Sequence, residues 1–174
     1  MNEHLAPLTQ HPSPNFSSRR GARITHLVWH ATEGHYGPSI AWLCDPAANA
    51  SAHLVVEEHG EESSQLVHLA DKAWHCEAWN AFTIGVEHAS LNAGFETHDQ
   101  LQQSARLFGW LCKTHKIPPL HGLHRPKGIV RHRDLGAAGG GHHDGPSDSV
   151  WFGEYLPLVH LELARDGYRK EYAQ

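Results

Sequence analysis

Residues 129–146 read IVRHRDLGAAGGGHHDGP, which puts His132, His142 and His143 on one glycine-rich segment with Asp134 and Asp144. Imidazole nitrogens and carboxylate oxygens are the donors that hold a divalent cation such as zinc, and imidazole also moves protons near neutral pH. Two further stretches end on the same chemistry: ITHLVWH (24–30) finishes on His30, and FTIGVEH (82–88) brings Glu87 to its end. Both are short, apolar and rich in strand formers, so both predict strands. GIVRH (128–132) predicts a third, ending on His132. Sites in open α/β sheets collect at the carboxyl ends of strands, where the sheet holds the residues rigidly and the loops are free. Three neighbouring strands running the same way would bring His30, Glu87 and His132 together. The loop after His132 would then return with His142, His143 and Asp144 after 12 residues, helped by Gly136 and Gly139–Gly141, since glycine reaches backbone angles that other residues avoid. Two imidazoles and one carboxylate suit zinc and leave its fourth tetrahedral position to water. Such an ion brings the pKa of water to about 7 and polarises a carbonyl. No HExxH stretch occurs, so the common zinc-protease helix is absent.

The elements that must position these groups follow from the pattern. Thr97–His115 predicts the best helix: Thr97 and Gln100 form a capping box, and Leu101, Ala105, Phe108, Leu111 and Cys112 share one face. Ser39–Cys44 predicts a short helix stopped by Asp45 and Pro46. SAHLVVEE (51–58) and SQLVHLA (64–70) predict two strands joined by a turn. Ser149–Arg165 predicts a helix interrupted at Pro157, which cannot donate to the preceding turn. Strands and helices mixed along one chain predict an α/β fold: a single domain with a central β-sheet flanked by helices and a zinc site at strand ends. Residues 1–22, punctuated by Pro7, Pro12 and Pro14, predict an extended arm packed on a domain of residues 23–174.

Composition narrows the class. The 174 residues carry 14 Lys+Arg against 19 Asp+Glu, a formal charge of −5, which argues against a general nucleic-acid binder. The 18 histidines are scattered along the chain and favour metal or proton chemistry. The cysteines, Cys44, Cys76 and Cys112, are odd in number and form no CxxC pair, so a reducing compartment is expected. They read as buried small hydrophobes, with a thiol nucleophile at Cys76, beside His75, as the minor alternative. The first residues contain no signal-like apolar core, and no run reaches the length of a membrane span. The expectation is a cytoplasmic product, monomeric and without stable membrane association.

Five stretches in this order, VWHATEG (28–34), SAHLVVEEHG (51–60), AWHCEAWN (73–80), TIGVEHAS (83–90) and VRHRDL…HHDGP (130–146), resemble the zinc-dependent type-2 N-acetylmuramoyl-L-alanine amidases. SPNFSSRRG (13–21) is similar to the opening of such domains, and the likeness covers most of residues 13–157. The family includes phage endolysins, cell-wall recycling amidases and peptidoglycan recognition proteins. The resemblance implies a mixed sheet and zinc (Zn2+) held by His30, His132 and Asp144. The family's lysine–x–aspartate–proline–glycine stretch stands here as His142-His143-Asp144-Gly145-Pro146. That altered register keeps His143 open as an alternative ligand, and it offers His142 in the lysine's place as the oxyanion stabiliser, against a solvated loop histidine. Ala52 occupies the position of a tyrosine used by some members, so Glu87, matching the recycling branch, is implied as general base. Trp74, His75 and Asn80 are implied to line the substrate groove, although Trp74 and Asn80 read equally well as a packed Trp and a capping Asn. The implied reaction is hydrolysis of the amide between N-acetylmuramic acid and L-alanine, with peptidoglycan or muropeptides as partners. A phage or prophage endolysin, freed by a separately encoded pore, leads. The alternatives are a cytosolic recycling amidase for soluble anhydro-muropeptides and a non-catalytic peptidoglycan-binding module.

Overall fold

His26–Ala31 (β3) is buried at every position and sits between two parallel neighbours, Thr83–His88 (β7) and Gly128–Arg131 (β8). The structure, a computed structural model, describes residues 8–91 and 96–165. The first seven residues of the predicted arm and the last nine of the chain lie outside them. Fully buried parallel strands must be apolar on both faces, which is why ITHLVWH and FTIGVEH read as near-continuous hydrophobic runs. Leu54–Val56 (β4) extends the sheet beyond β7, also parallel, and Ser63–Gln65 (β5) follows antiparallel. Thr9–Gln10 (β1) closes that edge. The order is β1-β5-β4-β7-β3-β8, a mixed sheet. Phe16–Ser18 (β2) pairs separately with Asp71–Ala73 (β6). Residues 8–22 thus run along the domain as two short pairing segments.

Helices cover the sheet. One face packs Leu27, Trp29, Ile84 and Val86 against His98–His115 (α2) and Leu156–Arg165 (α4). The other holds two smaller apolar clusters, one under Tyr36–Leu43 (α1) and one around Val28, Cys76, Val130 and Leu135. The result is the expected single α/β domain. No helix among the described residues is long and apolar enough to cross a membrane.

The departures have local causes. Thr97 Oγ1 accepts from the Gln100 N–H, but Gln100 turns its own amide inward to the carbonyls of Glu57 and Ala89. Tertiary contact thus outcompetes the return half of the capping box. The strand expected over 51–58 shortens to Leu54–Val56; just before it the Gly85 N–H donates to the ring of His53. The strand expected over 64–70 likewise stops at Gln65, where the arm takes over: His11 and Ser13 donate to the Gln65 and Leu66 carbonyls. Before Pro157 the chain runs as a short helix, Asp148–Val150 (α3), then a π-helical turn, Trp151–Tyr155, then α4. Pro157 has no N–H for the carbonyl of Gly153, and its ring crowds that turn; a widened turn accommodates both.

Candidate metal centre

His30 and Glu87 are register partners on β3 and β7. Side chains alternate across a strand, so partners in register project from the same face. His132 follows β8 directly and opens a 3-10 stretch, His132–Gly139. The three residues therefore share one row at the carboxyl ends of three adjacent parallel strands. The chain then breaks at Gly136 (φ +54°) and turns back through Gly140 (φ +102°) and Gly141 (φ +76°). Arg131 staples both ends of this excursion. Its guanidinium bonds Asp134 at 2.7 Å, Asp148 at 2.7 Å and the Pro146 carbonyl at 2.9 Å, and it lies over the Trp151 ring. The Asp144 carbonyl accepts from the Arg133 N–H, and Asp144 Oδ2 accepts from the Ala31 N–H at 3.0 Å. Gly145, at φ +131°, makes the last turn possible; proline, with φ fixed near −65°, could not stand there.

Nδ1 of His30 lies 2.9 Å from Nδ1 of His132 and 3.7 Å from Asp144 Oδ2, and His132 Nδ1 is 2.8 Å from Asp144 Oδ1. One donor atom from each residue falls within 4.8 Å of the others. All three residues are buried. Asp144 is thus the loop residue that the fold brings to the two imidazoles, whereas His143 is exposed. His132 Nε2–H donates to the Gly139 carbonyl at 2.8 Å, which turns Nδ1 toward the cluster. Glu87 Oε2 is buried without a hydrogen-bond partner among the described residues, and Asp144 Oδ1 meets only His132 Nδ1, the nitrogen turned into the cluster. Lone pairs converging in a dry site repel one another unless positive charge sits among them. Burial, and then His132 and His75, hold His30 well below the usual imidazole range, so His30 does not supply that charge. Burial would raise Asp144, but its contacts with His132 and the Ala31 N–H overcome it and hold the carboxyl down to about 2. Two imidazoles and a carboxylate converging in a buried site fit a divalent cation.

Glu87 Oε1 lies 4.0 Å from His30 Nδ1. Burial first, and then the charge of Asp144, push the Glu87 carboxyl up to about 8; a cation at the cluster would draw it back down. His142 is exposed, and its ring stacks on that of His132 with centroids 4.5 Å apart. Above these residues opens a cavity of about 730 Å³, bordered by Trp74, His75 and Asn80 and, on its far rim, by Trp42, which is 59% exposed.

The groove residues are partly spoken for. Asn80 Oδ1 accepts from the His75 and Cys76 N–H groups, a local cap. Trp74 Nε1 donates to Ser17 Oγ. Both ring nitrogens of His75 point to protein atoms, His30 Nε2 and Thr83 Oγ1. Cys76 is 1% exposed, and burial pushes its thiol up to about 12, which removes the thiolate a nucleophile needs. Sequence reasoning missed Arg131, Thr83, Gly85 and His88. The only written signal was the Arg131/Asp134 spacing of three, an ion pair on one turn.

A family model described as N-acetylmuramoyl-L-alanine amidase matches residues 20–148. N-acetylmuramoyl-L-alanine amidase A of Achromobacter lyticus is 32% identical over 102 residues, 58% of this chain and 57% of that protein. The chain therefore spans little more than half the length of that relative. Similar solved structures include AmpD (TM-score 0.69, 22% identity, 89% of this chain and 96% of that one). The Staphylococcus aureus hydrolase AmiA, in complex with its ligand, gives a TM-score of 0.73 at 15% identity over 97% of this chain and 89% of that one. The catalytic domain of XlyA gives 0.65 at 17% identity over 88% and 99%. At these identities the structures establish the fold.

Proposed function

Because the chain belongs to the N-acetylmuramoyl-L-alanine amidase family, we propose that it hydrolyses the amide between N-acetylmuramic acid and L-alanine in peptidoglycan, using zinc. The observation that carries the reading is the buried His30, His132 and Asp144 cluster with Glu87 beside it on the floor of an open groove. A zinc ion held by those three residues would supply Lewis acidity, acidifying water and polarising an amide carbonyl. Glu87 is the general base. It takes a proton from the attacking water through its unpartnered Oε2 and delivers that proton to the leaving alanine nitrogen. A carboxylate kept in a dry site is suited to hold a proton between those two events. His142, on the solvent side of His132, donates to the oxygen that gains charge in the tetrahedral state. Trp74 offers an apolar face to sugar or peptide. Asn80 and His75 shape the groove wall beneath it.

The domain, residues 23–174 with its arm 1–22, acts as a monomer on wall polymer, as a phage or prophage endolysin made in the cytoplasm and released by a separate pore. An open groove with an exposed tryptophan on its rim suits a polymer running through. The test is digestion of purified sacculi alongside soluble anhydro-muropeptides. New L-alanine amino termini without new reducing sugars are expected, with sacculi turned over faster. New reducing ends would mean a glycosidase. Turnover of soluble fragments alone would mean a recycling enzyme, and binding without turnover a recognition module.

A further inference from the structure

A neutral imidazole carries one proton and can place it on either nitrogen, and only the bare nitrogen can hold a metal. For His30 the choice can be read from its surroundings. Thr83 Oγ1 lies 2.8 Å from the Trp79 carbonyl. A carbonyl has no hydrogen to give, so the Thr83 hydroxyl donates there. Its oxygen is then left to accept, and His75 Nε2 stands 3.1 Å away as N–H. His75 Nδ1 is consequently the bare nitrogen, and it lies 2.9 Å from His30 Nε2. His30 must carry its proton on Nε2, so its Nδ1 presents a lone pair to His132 and Asp144. The opposite direction would either take the hydroxyl proton from the Trp79 carbonyl or set a bare His75 Nε2 against the Thr83 oxygen at 3.1 Å, with only the Cys76 thiol, 3.7 Å away, to donate to it. It would also aim an N–H of His30 into the cluster.

The surroundings are built for this arrangement. Thr83 is fully buried. Cys76 Sγ, 3.4 Å from Thr83 Oγ1, can donate to the second lone pair of that oxygen. His75 rests on the backbone of Gly85, where a Cβ would lie 2.5 Å from its Nδ1. A residue with a side chain at 85 would push the ring off its line to His30.

We propose that Thr83 and His75 are positioning residues that set the tautomer of His30, so that the centre is a metal site before any metal arrives. The inference rests on the reading of His30 as a metal ligand, yet its primary measurement needs no metal. Long-range ¹H–¹⁵N spectra of the metal-free protein should show His30 protonated on Nε2 in the wild type and in Thr83→Ser, which keeps the hydroxyl. His75→Ala and Thr83→Val should give mixed tautomers at His30. Zinc affinity, titrated against a chromophoric chelator, should fall roughly 10–100-fold in His75→Ala, less in Thr83→Val, and recover in Thr83→Ser. Thr83→Val is nearly isosteric and keeps the test alive if His75→Ala does not fold. His30 remaining Nε2-protonated in both disrupted variants would overturn the proposal, as would zinc affinity that does not follow the tautomer. A wild type that binds zinc without hydrolysing peptidoglycan would sink the amidase reading and leave this one standing.

Discussion

Glu87 and His88 are neighbours on β7, yet they face opposite sides of the sheet and live in opposite chemical conditions. On the helical side, His88 stacks on Trp29 with ring centroids 3.9 Å apart. Its Nδ1–H donates to the His30 carbonyl at 2.8 Å, and its Nε2 accepts from Ser104 Oγ at 2.6 Å. Ser104 in turn accepts from the Tyr155 hydroxyl at 2.7 Å. Both ring nitrogens of His88 and the hydroxyls of Ser104 and Tyr155 are used, although Nε1 of the stacked Trp29 is buried without a partner among the described residues. On the other side, Glu87 Oε2 is buried with no hydrogen-bond partner among the described residues, and Asp144 Oδ1 faces only His132 Nδ1, at 2.8 Å. An unpaired buried polar atom costs on the order of 1–3 kcal/mol, and more when it belongs to a charged group such as a carboxylate. The same strand thus carries a finished polar network behind the centre and an unfinished one within it. The finished network ties His30 to the core; the unfinished one is where chemistry can occur.

The contrast can be broken most severely at Asp144. Asp144→Ala should abolish hydrolysis and zinc retention, measured by metal analysis after dialysis, as should stripping the wild type with a chelator until zinc is restored. Full turnover in either case would remove the metal from the reaction. Glu87→Gln should bind zinc normally and lose roughly 10²–10⁴-fold in kcat, the usual contribution of a general base. An active variant would mean another base.

The buried, fully partnered histidines respond through stability. Burial, and then Arg19, hold His53 down to about 3, and burial does the same to His88. Both folded-state values lie below the unfolded value of about 6.5. Their contribution is therefore complete above pH 6.5 and declines as pH falls toward 3, because the unfolded chain binds the protons first. Denaturant unfolding should show a loss of about 1.4 kcal/mol per pH unit for each histidine below pH 6.5. A flat profile between pH 6.5 and 5 would contradict neutral burial. Tyr155→Phe should cost the least, about 1 kcal/mol, with zinc affinity and kcat unchanged. A loss of zinc affinity there would blur the division between the two faces.

Much of this was written plainly in the chain. The apolar runs before His30, Glu87 and His132 predicted strands because burial on both faces demands continuous hydrophobicity, and strands they are. Thr97 marked the start of α2 through a contact three residues long. The shortened strands at His53 and Gln65 were not legible, because the competing hydrogen bonds come from segments more than ten residues away in sequence. Nor was the split duty of His75, Trp74 and Asn80. Motif likeness gave them to the groove, while geometry ties their polar atoms mostly to the protein.

Residue order by itself determined which groups could meet: where strands end, where glycines let the chain return, and that two imidazoles and a carboxylate were on offer. Tertiary structure decided that Asp144 and not His143 turns inward, that β3 lies between β7 and β8, and which nitrogen of His30 is bare. The physical reason is range. Hydrophobic period and turn chemistry act over a few residues and are visible in a string. The direction of a hydrogen bond, and the repulsion that calls for a cation, exist only once residues as far apart as 30, 83 and 144 share a few ångströms.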